Sequence, residues 1–140
     1  MNKDQKEPQG QLFAVYGTLR RGFGNYSRLL NNEFCEYLGV QKTTPEFTMI
    51  SLGGFPGVIP GGTNTVVIEV FRVNSPKVVQ QLNWLEGHRG KDDVNNFYNV
   101  MEINTNWGTA NMYILDRKEY GHSVIESGDW SEHIKSHSSH

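Results

Sequence analysis

The chain has 140 residues, of which 36% are hydrophobic and 20% charged, as expected for one globular domain with its own core. The chain contains 13 basic and 15 acidic residues, which gives a formal net charge of -2 at pH 7. This balance excludes a broad basic surface for nucleic acid. No apolar segment resembles a signal peptide or could span a membrane, and Cys35 is the only cysteine. We therefore expect a cytoplasmic protein without an intramolecular disulfide.

The predicted elements lie in one domain, residues 11–130, between a polar leader (1–10) and a polar tail (131–140), both expected to be flexible. Apolar or β-branched runs predict five strands, at residues 12–16, 46–50, 65–73, 97–103 and 109–115. A turn-like NTNWG segment joins the last two, which predicts a hairpin. The segment rich in glycine and proline at residues 51–62 predicts an irregular loop or a broken strand.

Two helices are predicted. The longer has Ser75 as N-cap and Pro76 at its first position, and Gly87 ends it, with apolar residues at i, i+4 and i+7 forming one face. The shorter helix is predicted over residues 25–32. Because strands outnumber helices, we expect an α+β fold on a curved or closed sheet, not a doubly wound parallel sheet.

Glu86 is the first candidate for chemistry, at the predicted end of the longer helix. A carboxylate there faces the negative end of the helix dipole, which raises its pKa, and partial burial would raise it further. A raised pKa suits a general acid/base. The alternative is a glutamate that points into solvent at a fraying helix end.

The segment FAVYGTLRRG, residues 13–22, is the second candidate. A strand that ends in Tyr-Gly-Thr exposes successive backbone N–H groups, which can form a concavity for an anion. Neither of the two glycine-rich phosphate-binding patterns is present. The alternative is an ordinary turn after a strand. If the turn does form a site, we expect Arg20 and Arg21 at its rim.

Other catalytic schemes have weaker support. Acidic and apolar neighbours would raise the pKa of Cys35, so we expect an inert core thiol. His88 and His122 lack the spacing of metal ligands, the histidines of the tail are expected to be solvated, and no G-x-S-x-G elbow is present. Tyr98 and Tyr113, on the two strands of the predicted hairpin, either face one pocket or serve packing.

A series of motifs runs from about residue 12 to residue 130: VYGTLRRG with Asn25 and LL after it, YLG, LGGFPGVIPG, VVIEVFRV, LNWLEG, FYNV, MYIL and SGDW. In this order and spacing they resemble the γ-glutamylcyclotransferase-like family, which includes the γ-glutamylamine cyclotransferases. The resemblance implies a small mixed β-barrel flanked by a few helices, with a cavity at its side.

The resemblance also implies a site. The family's catalytic glutamate matches Glu86, Tyr98 matches an aromatic residue that lines the cavity, and Tyr113 is a further candidate for the lining. A Y-G-T-L turn would hold the γ-glutamyl group largely through backbone contacts, and its residues here are Tyr16, Gly17, Thr18 and Leu19.

The reaction that the resemblance implies is the release of 5-oxoproline from a γ-glutamyl amide, through attack by the substrate's own α-amine. One carboxyl group with a raised pKa can take a proton from the α-ammonium and give one to the leaving amine, so no metal or organic cofactor is needed. The expected partner is a small molecule, with no nucleic acid and no membrane.

Three positions depart from the family pattern, and they leave the leaving amine open: Tyr26, Ile68 and Asn99. The alternative function is a binding protein that sequesters or senses a small molecule in the same cavity without catalysis. An interaction module with a collapsed cavity is a third hypothesis. The presence of both the Y-G-T-L turn and Glu86 favours the enzyme.

Overall fold

The computed structural model describes residues 10–17, 19–23, 30, 33–52, 55–85, 98–115 and 123–138, without the side chains of 84–85 and 136–138. The elements of this part are, in order, β1 (Gln11–Val15), β2 (Cys35–Lys42), β3 (Phe47–Ser51), β4 (Pro56–Pro60), β5 (Val67–Val73), α1 (Pro76–Leu85), β6 (Asn99–Thr105), β7 (Gly108–Ile114) and α2 (Trp130–Ser138). Within these ranges, neither helix has the length and apolar character needed to cross a membrane.

Five of the strands form one mixed sheet in the order β2-β5-β1-β7-β6. The central strand β1 pairs antiparallel with β5 and parallel with β7. Strands β3 and β4 form a separate antiparallel ribbon. The ribbon is joined to the end of β7, where the Leu115 N–H donates to the Val58 carbonyl at 2.8 Å. It is also joined to the segment before α2, where the Ile125 N–H donates to the Met49 carbonyl at 2.8 Å.

Alternate residues of the central strands enter two separate hydrophobic cores. The α1-side core contains Phe13 of β1 and Phe71 of β5 together with Leu82 of α1. The α2-side core contains Ala14 of β1 and Trp130 of α2. Because both faces of the central strands are buried, their sequences are nearly continuous apolar runs.

The two edge strands of the sheet approach each other through side chains. The Asn106 N–H, in the turn between β6 and β7, donates to the side-chain carbonyl of Gln41 on β2 at 2.8 Å. The Trp107 ring lies so close to Gly39 that a Cβ there would come within 2.6 Å of it. The sheet is therefore curved like a barrel, but no strand ladder closes it within the described residues.

The structure confirms the α+β class and shows strands at all five predicted positions. It also contains two strands that were not predicted. The edge strand β2 has charged residues and a glycine within a pattern that alternates only partly between exposed and half-buried positions. The segment at residues 51–62, expected to be an irregular loop or a broken strand, contains the strand β4 in its second half, so the loop alternative was wrong there. Its prolines are the two end residues of the strand, where a missing N–H interrupts the ladder least.

The expectation of a flexible tail over residues 131–140 is corrected by α2. The helix begins after an N-cap, since Asp129 Oδ1 accepts the N–H groups of Ser131 and Glu132 at 3.0 and 3.2 Å. Trp130 anchors this helix in the core. The leader lies outside the described residues except for Gly10, and so does the predicted helix at 25–32 except for Leu30, which is buried. The outer limits of the domain stay a prediction.

Candidate active site

The turn after β1 is fixed at its start by the buried Tyr16, whose hydroxyl donates to the Tyr113 carbonyl at 2.7 Å. This bond ties the end of β1 to its parallel neighbour β7. Farther along, the Arg20 N–H donates to the Gly17 carbonyl at 2.9 Å, which closes a four-residue turn. Leu19 enters the α1-side core. Thr18 lies outside the described residues.

Gly17 packs directly against the ribbon. A Cβ at this position would lie 2.8 Å from the Pro56 ring, closer than real Cβ contacts, so the turn can approach β4 only with glycine here. Pro56 also accepts a hydrogen bond through its carbonyl, from the hydroxyl of the buried Tyr98 at 2.7 Å. Pro56 thus connects the turn to Tyr98. The sequence analysis missed it because it lies in the segment that was predicted to be irregular.

Tyr113 connects three elements. On β7, its carbonyl accepts the Tyr16 hydroxyl, and its own hydroxyl donates to Asn83 Oδ1 on α1 at 2.6 Å. Its ring stacks on Phe13 of β1 with centroids 6.1 Å apart. Asn83 was not predicted as a site residue, although its position three residues before Glu86 was a usable signal.

Glu86 lies outside the described residues, as do His88 and His122. The helix α1 is described as far as Leu85, and Glu86 is the next residue in sequence. A raised pKa for Glu86 therefore stays a prediction. The structure brings together Tyr16, Gly17 and Tyr98 around Pro56 and Tyr113.

A buried ion cluster lies at the end of the turn. Arg20 is 8% exposed, and its Nε lies 3.0 Å from Glu69 Oε2 while Nη1 lies 2.9 Å from Asp129 Oδ1. Glu69 is 7% exposed, and its Oε1 accepts the Arg21 N–H at 2.8 Å. The expectation that Arg20 lies at the rim was therefore wrong. A buried guanidinium is tolerated because two carboxylates pair with it.

Asp129 has its pKa shifted by this cluster. Partial burial alone would raise the pKa of Asp129, but the hydrogen bond from Arg20 opposes it, with further lowering by the backbone N–H groups of Glu132 and Ser131 and by the Arg20 charge. The net result is a pKa below the ordinary value of 3.8. The carboxylate is thus held in its charged form as the partner of Arg20 and as the N-cap of α2.

Arg21 remains an exposed residue, as expected for the rim. Its guanidinium lies 3.6 Å from the centroid of the Tyr37 ring, a cation–π contact that fixes its direction. Cys35, predicted to be an inert core thiol, is half-buried at the start of β2 and packs against the α1-side core. Among the described residues, no group of three or more His, Cys, Asp or Glu side chains could hold a metal ion.

Comparisons with solved structures support this architecture. The solution NMR structure of YtfP from Escherichia coli has a TM-score of 0.64 at 30% identity and covers 88% of this chain and 98% of that one. The crystal structure of an uncharacterized protein from Pyrococcus horikoshii has a TM-score of 0.71 at 23% identity and covers 91% of this chain and 96% of that one. This second likeness concerns the fold alone.

Sequence comparisons give the family. A Vibrio cholerae protein that is provisionally named a gamma-glutamylcyclotransferase is 37% identical over 123 residues, which cover 88% of this chain and 97% of that protein. The gamma-glutamylcyclotransferase family protein YtfP of Escherichia coli K12 is 32% identical over 121 residues, 86% of this chain and 96% of that protein. The family model described as gamma-glutamyl cyclotransferase, AIG2-like, matches residues 13–132. The chain belongs to this family.

Proposed function

We propose that the protein is a γ-glutamyl cyclotransferase, which converts a γ-glutamyl amide into 5-oxoproline and a free amine with Glu86 as the general acid/base. One observation carries the proposal. Tyr113 joins the turn after β1, through the Tyr16 hydroxyl, to the last turn of α1, through Asn83, three residues before Glu86 in sequence. In a chain of this family, the two halves of the expected site are thus linked by one residue.

The reaction moves two protons and one acyl group. The Glu86 carboxylate takes a proton from the substrate's α-ammonium, and the freed amine attacks the γ-carbonyl carbon to form a five-membered ring. Glu86 returns this proton to the leaving nitrogen as the bond from the γ-carbonyl carbon to that nitrogen breaks. The ring nitrogen then loses its second proton, which Glu86 passes to the released amine, so that the products are 5-oxoproline and an ammonium ion. Because the nucleophile belongs to the substrate, the protein's main task is to hold the substrate folded.

The turn supplies the donors in this proposal. The N–H groups of Arg20 and Arg21 are already used, since they donate to the Gly17 carbonyl and to Glu69. We therefore assign substrate binding to the N–H groups of residues 17–19, which would bind the α-carboxylate or the oxyanion that develops on the γ-carbonyl.

Tyr98 and Tyr113 are proposed to line the substrate cavity. Their hydroxyl protons are donated to the carbonyl of Pro56 and to Asn83 Oδ1. In this proposal Glu86 carries out the proton transfers, and the two tyrosines form a rigid part of the cavity lining.

The proposal requires no metal or organic cofactor, and the partner is a small molecule. The single Cys35 fits a reducing compartment, so we place the reaction in the cytoplasm. The leaving group is left open between an amino acid, a lysine side-chain amine, another amine and a larger molecule.

The test is incubation of the protein with a panel of γ-glutamyl amines and γ-glutamyl dipeptides, with detection of 5-oxoproline. We expect turnover of at least one member, and Glu86→Gln should lower kcat/KM by roughly 100-fold or more. The matched control is Glu102→Gln, which removes an exposed glutamate from β6 and should change kcat/KM by less than about twofold.

Three outcomes would count against the proposal. Product formation that Glu86→Gln leaves unchanged would remove Glu86 from the mechanism. The absence of 5-oxoproline with every panel member would contradict the cyclotransferase. Saturable binding of a panel member without any product would favour the alternative, a protein that sequesters or senses the small molecule.

A further inference from the structure

We propose that Glu69 and Arg20 are positioning residues for substrate binding, because they hold the turn after β1 in the conformation that presents its N–H groups. The inference rests on the proposed function of that turn. It concerns two charged residues that no step of the reaction uses and that contact one another in the protein interior.

Both carboxylate oxygens of Glu69 accept hydrogen bonds from the turn. Oε2 accepts the Arg20 Nε–H at 3.0 Å, and Oε1 accepts the Arg21 N–H at 2.8 Å. In the register of the sheet, Glu69 lies opposite Val15, the last residue of β1. The end of the turn is thus fastened to the strand beside the one from which the turn emerges, by hydrogen bonds that a charged acceptor strengthens.

Arg20 extends this attachment to α2. Its Nη1 donates to Asp129 Oδ1, which also caps the helix through two backbone N–H groups. The start of the turn is fixed separately, by the bond from Tyr16 to Tyr113. Residues 17–19 therefore span two fixed points, one on β7 and the other on β5 and α2.

The chemistry of the cluster favours positioning over stability alone. Burying charged groups costs free energy even when they are paired, and well-packed apolar side chains of the same volume often give equal or greater stability. Apolar packing is not directional, so apolar side chains at these two positions would not orient the backbone N–H groups of the turn. The bidentate contact of Glu69 supplies that orientation to the segment that binds substrate.

A second ion pair on β5 supplies a matched control. Arg72 Nη1 lies 2.9 Å from Glu36 Oε1, with side chains that are 30% and 60% exposed. In the register of the sheet, Arg72 lies opposite Leu12, near the start of β1, whereas Glu69 is opposite its end. Glu36→Gln therefore removes the charge of an ion pair to the same strand without touching the turn.

The experiment compares Glu69→Gln and Arg20→Lys with Glu36→Gln. Glutamine keeps the shape of Glu69 but cannot accept from both donors, and lysine keeps the charge of Arg20 but lacks the planar fork that reaches two carboxylates. For the best substrate of the panel, we expect each of the two variants to lower kcat/KM about tenfold or more, through a higher KM if the N–H groups bind the α-carboxylate and through a lower kcat if they bind the oxyanion. Glu36→Gln should leave kcat/KM within about twofold.

Amide hydrogen exchange gives a readout that does not depend on turnover. The Arg20 N–H donates to Gly17 and makes no bond to Glu69, so its exchange rate reports the closure of the turn itself. We expect this amide to exchange about tenfold faster in Glu69→Gln than in wild type, and at the wild-type rate in Glu36→Gln.

The inference is overturned if kcat/KM falls in both variants only in proportion to a smaller folded fraction. It is equally overturned if the Arg20 amide exchanges at the wild-type rate in Glu69→Gln. If wild type makes no 5-oxoproline from any panel member, the proposed function fails, and the exchange rate still decides whether Glu69 holds the turn. If Glu69→Gln does not fold, the same two measurements on Arg20→Lys decide.

Discussion

The two faces of the central sheet are built from alternate residues of the same strands, yet they pack against different helices, α1 on one face and α2 on the other. The α1-side core contains Tyr98 and Tyr113, whose hydroxyls donate to groups on β4 and α1. The neighbouring residue Met112 points into the α2-side core, which is anchored by the buried Trp130. On β7, Tyr113 thus binds the last turn of α1, which precedes Glu86 of the proposed site, while its neighbour Met112 packs in the core under α2.

Trp130→Ala should produce the largest loss of stability and thereby break the α2-side core. Because the indole is 1% exposed, its removal should lower the free energy of unfolding by about 3–5 kcal/mol, measured by urea denaturation. At temperatures where the variant is folded, kcat/KM for the best substrate should fall less than in Glu69→Gln, because Trp130 acts on the turn only through the neighbouring Asp129, which pairs with Arg20, whereas Glu69 binds the turn directly.

Trp130→Phe is the matched control for this variant. The indole N–H is buried without a hydrogen-bond partner among the described residues, so replacing the indole by a phenyl ring breaks no described hydrogen bond. The loss of stability should therefore be much smaller than for alanine. A kcat/KM lowered as much in Trp130→Ala as in Glu69→Gln would contradict this difference between the two faces.

Tyr113→Phe should affect activity more than stability, in contrast to Trp130→Ala. The loss of the hydrogen bond to Asn83 should lower the free energy of unfolding by about 1 kcal/mol. Because that bond fixes α1 three residues before Glu86, kcat/KM should fall by about tenfold. Steady-state kinetics and urea denaturation on the same samples separate the two effects.

Tyr37→Phe is the control, since it removes a hydroxyl group from another tyrosine that packs against the same core. It should leave kcat/KM within about twofold of wild type. Equal losses of activity in Tyr37→Phe and Tyr113→Phe would mean that the bond to Asn83 has no special role.

Asp129→Asn should give the smallest effect, a loss of stability whose size depends on pH. The pKa of Asp129 is lower in the folded protein than its ordinary value of 3.8, so the charged carboxylate stabilises the fold above that value. This contribution is lost as the pH falls through the folded-state pKa. Asparagine keeps the helix cap but carries no charge for Arg20.

Urea denaturation at a series of pH values measures this effect. Asp129→Asn should be less stable than wild type at neutral pH, and the difference should shrink as the pH falls below 3.8. A difference that stays constant or grows toward acid would show that the charge of Asp129 does not stabilise the fold through Arg20.

Much of the sheet could be predicted from sequence because buried strands carry long apolar runs, as in β5. The strands β2 and β4 could not, since an edge strand with charged residues and a strand bounded by prolines lack that signal. The helix α2 was missed because its stability comes from Trp130, which packs against distant residues, and from an N-cap outside the predicted tail.

Site residues could be named from sequence where they belong to a local motif, but not where their role depends on contacts with residues distant in sequence. The turn after β1 and the two tyrosines were named from sequence, and their roles toward substrate stay predictions. Arg20 pairs with Glu69 and Asp129, which lie 49 and 109 residues away in sequence, so no local pattern indicates that Arg20 is buried. One signal was available, because Glu69 is the only charged residue within the apolar run VVIEVF. A lone charge in a strand buried on both faces predicts a buried partner.

The most direct test of the account follows the substrate's α-nitrogen. A γ-glutamyl amide labelled with ¹⁵N at the α-amine is incubated with the protein, and the products are identified by mass spectrometry. The account predicts labelled 5-oxoproline and unlabelled amine in equal amounts, with the rate reduced roughly 100-fold or more in Glu86→Gln. Labelled glutamate as the product would mean hydrolysis by water and would contradict intramolecular attack.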